Sequence, residues 1–442
     1  MVRFDFDSDF DPELIALLSP ARELDELGIP SNIVIELIYR QLFSEGEVSI
    51  GRFNEVLRIH AQVLDKILAR MKQEHMVEIS NTGSLGRFSY TYRLTEEGTK
   101  RAREAMERNQ YLGPAPVSLE SYRKAIRLQT GTNRQVVPHD VERALKHLIL
   151  PDGFHRRIGP AVNAGSSLFL YGPPGNGKTT IAEAIARLVA GSVPIWLPYA
   201  ITAGGQIIKI HDPLVHIPVE NAIVNGNGST ATFGGDGPKI DKRWGLFKRP
   251  GVMVGGELKM ESLDLRYEPT AKFYEAPLQL KANGGMLLID DFGRQQMSPQ
   301  DLLNRWIVPL ESGIDFLRLK SGQTVEVPFQ QLIVFSTNLD PADLVDDAFL
   351  RRIQMKVEVT GPSEKLYYEI FQMMCKAYGL PFDQKTFVHL LQKWYRGQSR
   401  VMQAVHPRDL LKATVSICEY EGIEPHLSPQ LLDEACISYF VN

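Results

Sequence analysis

The stretch "YGPPGNGKTT" places Gly172, Gly175 and Gly177 ahead of Lys178, Thr179 and Thr180. Glycines let a backbone bend until successive N–H groups point inward at anionic oxygens. A lysine and a hydroxyl at the end of such a turn add a charge for the outer phosphates and an oxygen for a divalent cation. The spacing Gly-x-x-x-x-Gly-Lys-Thr, from Gly172 to Thr179, therefore predicts a phosphate cradle made by Gly172, Pro173, Pro174, Gly175, Asn176, Gly177, Lys178, Thr179 and Thr180. A second signal is "GGMLLIDDFGRQQ", residues 284–296, where an apolar run ends in Asp290 and Asp291. Unpaired buried carboxylates cost several kcal/mol, so the two acids belong at a wet strand end or beside a cation.

The elements around these residues follow from the pattern. "SLFLY" before the Gly-rich turn reads as a buried strand, and "IAEAIARLVA" after it as an amphipathic helix whose positive end faces the phosphates. "MLLID" supplies a second buried strand with Asp290 at its tip, placed to share a Mg²⁺ ion with Thr179. Asp291 is the candidate to polarise a water molecule for attack on the γ phosphate.

These residues resemble the AAA+ ATPases, over roughly residues 138–442. "YGPPGNGKTT" is similar to their Walker A motif and "LLIDD" to their Walker B motif, with Asp291 standing where the family usually has Glu. The resemblance implies ATP and Mg²⁺ as ligands. It also implies Asn338, at the end of "LIVFSTNLD", as a sensor of the attacking water. In "DDAFLRRI", Arg352 first and Arg351 second resemble an arginine finger that reaches a neighbouring subunit's nucleotide. Arg408 in "HPRDLLKA" resembles the second sensor, on the lid. The expected fold is α/β, a P-loop AAA+ parallel sheet with a helical C-terminal lid, preceded by an α+β winged-helix domain.

Before the nucleotide domain the order of signals from Pro30 to Asn109 is helix, short strand, two helices, strand, turn, strand and helix. Ser31 is read as a helix cap, and Val63, Leu64, Ile67, Leu68 and Met71 form one apolar stripe. The order resembles a winged helix. DNA contacts would come from Gln62, Lys66, Arg70 and Gln73, with Arg87 and Arg93 near the wing. Yet residues 29–110 carry twelve Lys and Arg against eleven Asp and Glu. Affinity for DNA rests largely on phosphate neutralisation, so near-neutrality favours protein docking or ring packing over DNA.

The expected boundaries are an acidic tail at 1–28, a winged helix at 29–110, a linker at 111–137, the nucleotide domain at 138–360 and the lid at 361–442. The first segment carries eight acids against Arg3 and Arg22; it is either a frayed terminus or a docking peptide. Lys178 and Asp290 lie 112 residues apart, about twice the expected interval, so 191–283 reads as an insertion containing the Gly-rich loop "NGNGSTATFGGDG". A hairpin around Lys320 to Gln323 resembles the pore-facing projections of the MoxR, minichromosome maintenance and NtrC branch. His211 and His216 read as ordinary imidazoles more than as a metal site, and Cys375, Cys418 and Cys436 as reduced thiols.

At 442 residues with 43% hydrophobic residues and a net charge of −4, the chain reads as a multidomain, cytoplasmic protein without a membrane span. The resemblance implies a homo-oligomer, by family habit a hexamer, that moves a protein partner. DNA-directed work and a slow nucleotide-gated assembly switch are the alternatives.

Overall fold

The computed structural model describes residues 10–82, 90–130, 136–165, 167–219, 240–344 and 350–440. Arg87, the Gly-rich loop at 225–237, the first part of "FDFDSDFD" and the first four residues of "DDAFLRRI" lie outside them. The fold class is α/β. A five-stranded sheet runs in the order Gly251–Val254, Met286–Ile289, Leu332–Thr337, Ser167–Tyr171, Met355–Glu358. Ser167–Tyr171 pairs in parallel with Leu332–Thr337 on one side and Met355–Glu358 on the other. The strands Met286–Ile289 and Leu332–Thr337 are buried throughout, as continuous apolar runs in a parallel sheet require.

The chain divides into two compact units. The first contains Met1–Gln135, Val189–Leu287 and Asp301–Leu332. Helix Ser31–Glu45 stops at Gly46, and Ser49 caps the helix Ile50–Leu57 by accepting from Arg52 N–H at 3.2 Å. Ser31 itself lies inside its helix: Pro30 holds the cap position, and no side chain caps that end. The helix Ala61–Gln73 buries Val63, Leu64, Ile67, Leu68 and Met71, one face worth about 1.5–3 kcal/mol per fully buried side chain. A three-stranded antiparallel sheet follows, with Thr91–Leu94 between Glu47–Ser49 and Val77–Asn81. Thr95 then caps Glu96–Arg108 through Gly98 N–H. A Cβ at Gly98 would come within 1.9 Å of the Met76 carbonyl, so the helix can start there only with glycine.

Two stretches read from sequence as tail and linker are packed parts of this unit. Asp11 caps the helix Pro12–Leu17, and Phe10, Leu14 and Leu18 are buried. Residues Leu119–Thr130 form a helix with Tyr122, Ala125 and Ile126 in the core; Asn283 Nδ2 donates to the Tyr122 hydroxyl at 3.0 Å. The buried Arg243 joins these pieces, bonding Asp241 and donating to the carbonyls of Leu27 and Pro116. The strands Ile314–Arg318 and Thr324–Pro328 form the antiparallel hairpin expected around Lys320 to Gln323.

The second unit contains Val136–Leu188, Leu288–Gln300 and Ile333–Asn442. It holds the strand, turn and helix of the phosphate cradle, both acids of "LLIDD", and a C-terminal helical bundle. The bundle comprises Glu364–Ala377, Gln384–Leu390, His406–Glu421 and Pro429–Tyr439 around Tyr367, Phe371, Leu390, Tyr395 and Leu411. Cys375, Cys418 and Cys436 are free and buried, and burial pushes the Cys375 thiol up to about 11 and that of Cys436 up to about 12. Among the described residues no helix is long and apolar enough to cross a membrane.

Candidate nucleotide site

The turn after Tyr171 owes its shape to glycine. Gly172, Gly175 and Gly177 have φ of 134°, 73° and 86°, a region that side-chain-bearing residues rarely enter. A Cβ at Gly172 would lie 2.5 Å from the Val359 carbonyl oxygen, and one at Gly175 would lie 2.6 Å from Gln403 Oε1. Helix Lys178–Ala190 starts where the turn ends, so its unsatisfied N–H groups face the concave side. Pro173 and Pro174 are exposed at the tip of the turn.

Lys178 is buried, and its Nζ donates to the carbonyls of Gly172 at 2.8 Å and Pro173 at 2.9 Å. Burial lowers its pKa from the ordinary lysine value, while the carboxylates of Asp291 and Asp290 pull in the other direction. Thr179 Oγ1 donates to Asp290 Oδ2 at 2.9 Å. The structure thus joins two residues 111 positions apart into one hydroxyl–carboxylate pair at the helix N-terminus. Hard oxygen donors of this kind, beside a glycine cradle and a buried ammonium, fit a nucleotide with its divalent cation.

Asp291 sits one residue beyond, exposed, with φ of 49°. Asn338 follows the end of the adjacent strand, and its Nδ2 donates to Asp291 Oδ1 at 3.1 Å. Arg352 is half-buried and Arg351 exposed, just before the edge strand Met355–Glu358. The Arg352 carbonyl accepts from Ser167 Oγ at 3.3 Å. Arg408, in the first turn of His406–Glu421, bonds Asp409 Oδ1 through Nε at 2.7 Å, which raises its pKa further.

Residues 168–213 match the family model described as "ATPase family associated with various cellular activities (AAA)". The match covers the strand, glycine turn and helix that carry Lys178 and Thr179, so this segment is similar to that of an ATPase. A second model, a domain of unknown function (DUF8689), matches residues 363–438, the C-terminal helical bundle. No curated protein matches the chain. Among solved structures, NtrX from Brucella abortus in complex with ADP is 13% identical, with a TM-score of 0.37, covering 66% of this chain and 56% of that one. A RuvB point mutant from Thermotoga maritima is 12% identical, with a TM-score of 0.35 and coverages of 72% and 71%. A complex of the magnesium chelatase subunits BchI and BchD gives 15%, 0.33, 69% and 95%. The chain spans a little over half the length of the NtrX chain. Likenesses this distant carry nothing about partner or substrate.

Several groups at this site escape a reading of the sequence. Val405 N–H donates to the Gly175 carbonyl at 2.9 Å, and Ala404 N–H to Asn176 Oδ1 at 3.1 Å, so the segment entering His406–Glu421 rests on the phosphate turn. Backbone donors leave no mark in a sequence. Gln295, inside the quoted "GGMLLIDDFGRQQ", bonds the turn that carries both acids. In the other unit, His216 is buried. Its Nδ1 accepts from Asp212 N–H and its Nε2 donates to the Lys281 carbonyl, the arrangement of a satisfied core imidazole.

Proposed function

We propose that the chain hydrolyses ATP within a homo-oligomeric ring and uses the cycle to remodel or move a protein partner, as a MoxR-like motor does. Lys178 and the glycine cradle would hold the phosphates; Thr179 and Asp290 would hold Mg²⁺, which when bound neutralises phosphate charge. Asp291 would accept the proton of the attacking water, with Asn338 fixing its carboxylate. Residues 29–110 would act as a winged-helix docking platform ahead of this site.

One observation carries the oligomeric reading. Arg352 is tied to Ser167, the first residue of a strand whose other end, Tyr171, enters the phosphate turn. Four strand rises separate the two ends, roughly 13 Å, so an arginine whose backbone is held there is poorly placed for its own chain's γ phosphate and better placed for a neighbour's. The choice of protein over DNA has separate support. Lys66 pairs with Glu23, Arg70 with Glu74 at 2.8 Å and Arg93 with Glu78 at 2.6 Å, so the cations offered for phosphate contact have acid partners in the chain itself.

A second reading, a slow nucleotide-gated switch, has its own observation: Asp291, already bonded by Asn338, stands where the family that the sequence resembles usually has the longer Glu. Mixing distinguishes them. Arg352→Ala and Lys178→Ala chains, each inactive alone, should regain turnover when combined, because one supplies a complete cradle and the other the arginine. The same assay with duplex DNA should show no stimulation. Failure of mixing to restore any turnover sinks the ring, and stimulation by DNA that fades with salt would replace the protein partner with DNA.

A further inference from the structure

We propose that Gln295 is the positioning residue that lets an aspartate, rather than a longer glutamate, serve at position 291; this rests on the reading of Asp291 as the group that activates water.

The backbone turns sharply between Ile289 and Gln295. Asp290 is half-buried, Asp291 exposed and Phe292 buried, with the Phe292 ring 6.0 Å from that of Phe169 and 5.0 Å from that of Phe335. Phe292 N–H donates to the Ser336 carbonyl at 2.7 Å, and Thr337 Oγ1 donates to the Phe292 carbonyl at 2.7 Å. Phe292 is anchored in this way, and the residue before it, Asp291, lies in the left-handed region, which few side-chain-bearing residues enter.

Gln295 provides the hold. Its Oε1 accepts from Gly293 N–H at 2.8 Å, while its Nε2 donates to the carbonyls of Asp290 at 3.0 Å and of Asp291 at 3.2 Å. One amide therefore fixes the carbonyls of both acids. From this turn the short side chain of Asp291 meets Asn338 at 3.1 Å without an extra methylene. A carboxylate that is short and mispositioned loses its role steeply, since general-base action depends on reach to the proton.

The test measures ATP turnover and the affinity for a fluorescent ADP analogue in wild type, Gln295→Ala, Gln295→Glu, Asp291→Glu and the double variant Gln295→Ala/Asp291→Glu. Gln295→Ala and Gln295→Glu should lower kcat about 10- to 50-fold with nucleotide affinity within about 3-fold of wild type. Gln295→Glu keeps an acceptor for Gly293 N–H but loses both donors. In the Asp291→Glu background, removing Gln295 should change kcat less than about 3-fold, because the longer carboxylate no longer depends on the turn. The proposal is overturned if kcat stays within about 2-fold of wild type in Gln295→Ala, if affinity falls in step with kcat, or if the Asp291→Glu background loses as much. A wild-type chain without turnover also overturns it, while retained binding of the ADP analogue would show that the cradle itself stands.

Discussion

Asn338 donates through Nδ2 to Asp291 Oδ1 at 3.1 Å, across the ends of two strands that lie side by side in the parallel sheet. The amide is neutral, so it orients the carboxylate without removing its negative charge. Replacing Asn338 with alanine leaves Asp291 free to rotate. Turnover of ATP should fall about 10- to 100-fold, with the affinity for ADP nearly unchanged. A parallel loss of affinity would place Asn338 in the binding of nucleotide instead.

Lys178 is the one cation buried inside the turn between Gly172 and Thr179, where its ammonium spans the carbonyls of Gly172 and Pro173. Charge-assisted bonds to phosphate are worth about 1.5–3 kcal/mol each. Lys178→Ala should weaken ATP binding about 100-fold or more in titration calorimetry while circular dichroism stays that of the wild type. Binding within a few-fold of wild type would show that the cradle does not use this lysine.

Gly175→Ala tests the shape of the cradle. Its φ of 73° strains any side-chain-bearing residue, and a Cβ there would meet Gln403 Oε1 at 2.6 Å and Val405 Cγ1 at 2.9 Å, so both side chains would have to shift. The variant should lose nucleotide affinity at least about 10-fold and melt a few degrees lower, since a left-handed alanine and a displaced clasp act together. An unchanged melting temperature together with unchanged affinity would mean that the Gln403 segment yields freely.

Two buried histidines should weaken the fold in acid. Burial pushes His216 down to about 4, against the bonded Lys281 carbonyl, with His211 opposing its charge further and Asp212 favouring it. Burial likewise pushes His406 down to about 4, helped by Arg400 and opposed by Asp409. In the unfolded chain both take up protons near pH 6.5, so the unfolded state binds more protons between 6.5 and 4 and gains from acid. Stability should be complete above about pH 6.5 and decline toward pH 4, by up to about 3 kcal/mol for each group. Urea unfolding from pH 7.5 to 4.5 checks this, and a His216→Gln variant should show a shallower decline. A profile flat between pH 6.5 and 4.5 would contradict the neutral burial of both.

Much of the site could be read from the sequence because its signals are local. A glycine spacing needs only neighbouring residues to define a turn, and the apolar run "MLLI" needs only its own composition to predict burial. The stripe from Val63 to Met71 and the hairpin around Gly322 are of the same kind. What escaped depends on partners distant in sequence. Leu119–Thr130 follows a proline-rich stretch and reads as a linker, yet Tyr122 is core because Asn283 and the strand Ile195–Pro198 come to it from the insertion. Gln295 has the composition of any surface glutamine, and only the burial of Phe292 against Phe169 and Phe335 gives its amide two carbonyls to hold. Pro30 displaces Ser31 from the cap because proline fixes the entry angle one residue earlier, within the ordinary uncertainty of a helix end.

In the proposed mechanism Asp291 activates water for ATP hydrolysis at a cradle that binds nucleotide without it. Its most direct test is the steady-state ATP turnover of Asp291→Asn, measured beside ADP affinity. The substitution keeps the shape and the oxygen that Asn338 bonds but removes the charge and the basicity. Turnover at least about 100-fold below wild type with affinity within about 3-fold is the predicted result. Turnover equal to that of wild type would contradict the claim and return the role of water activation to another group.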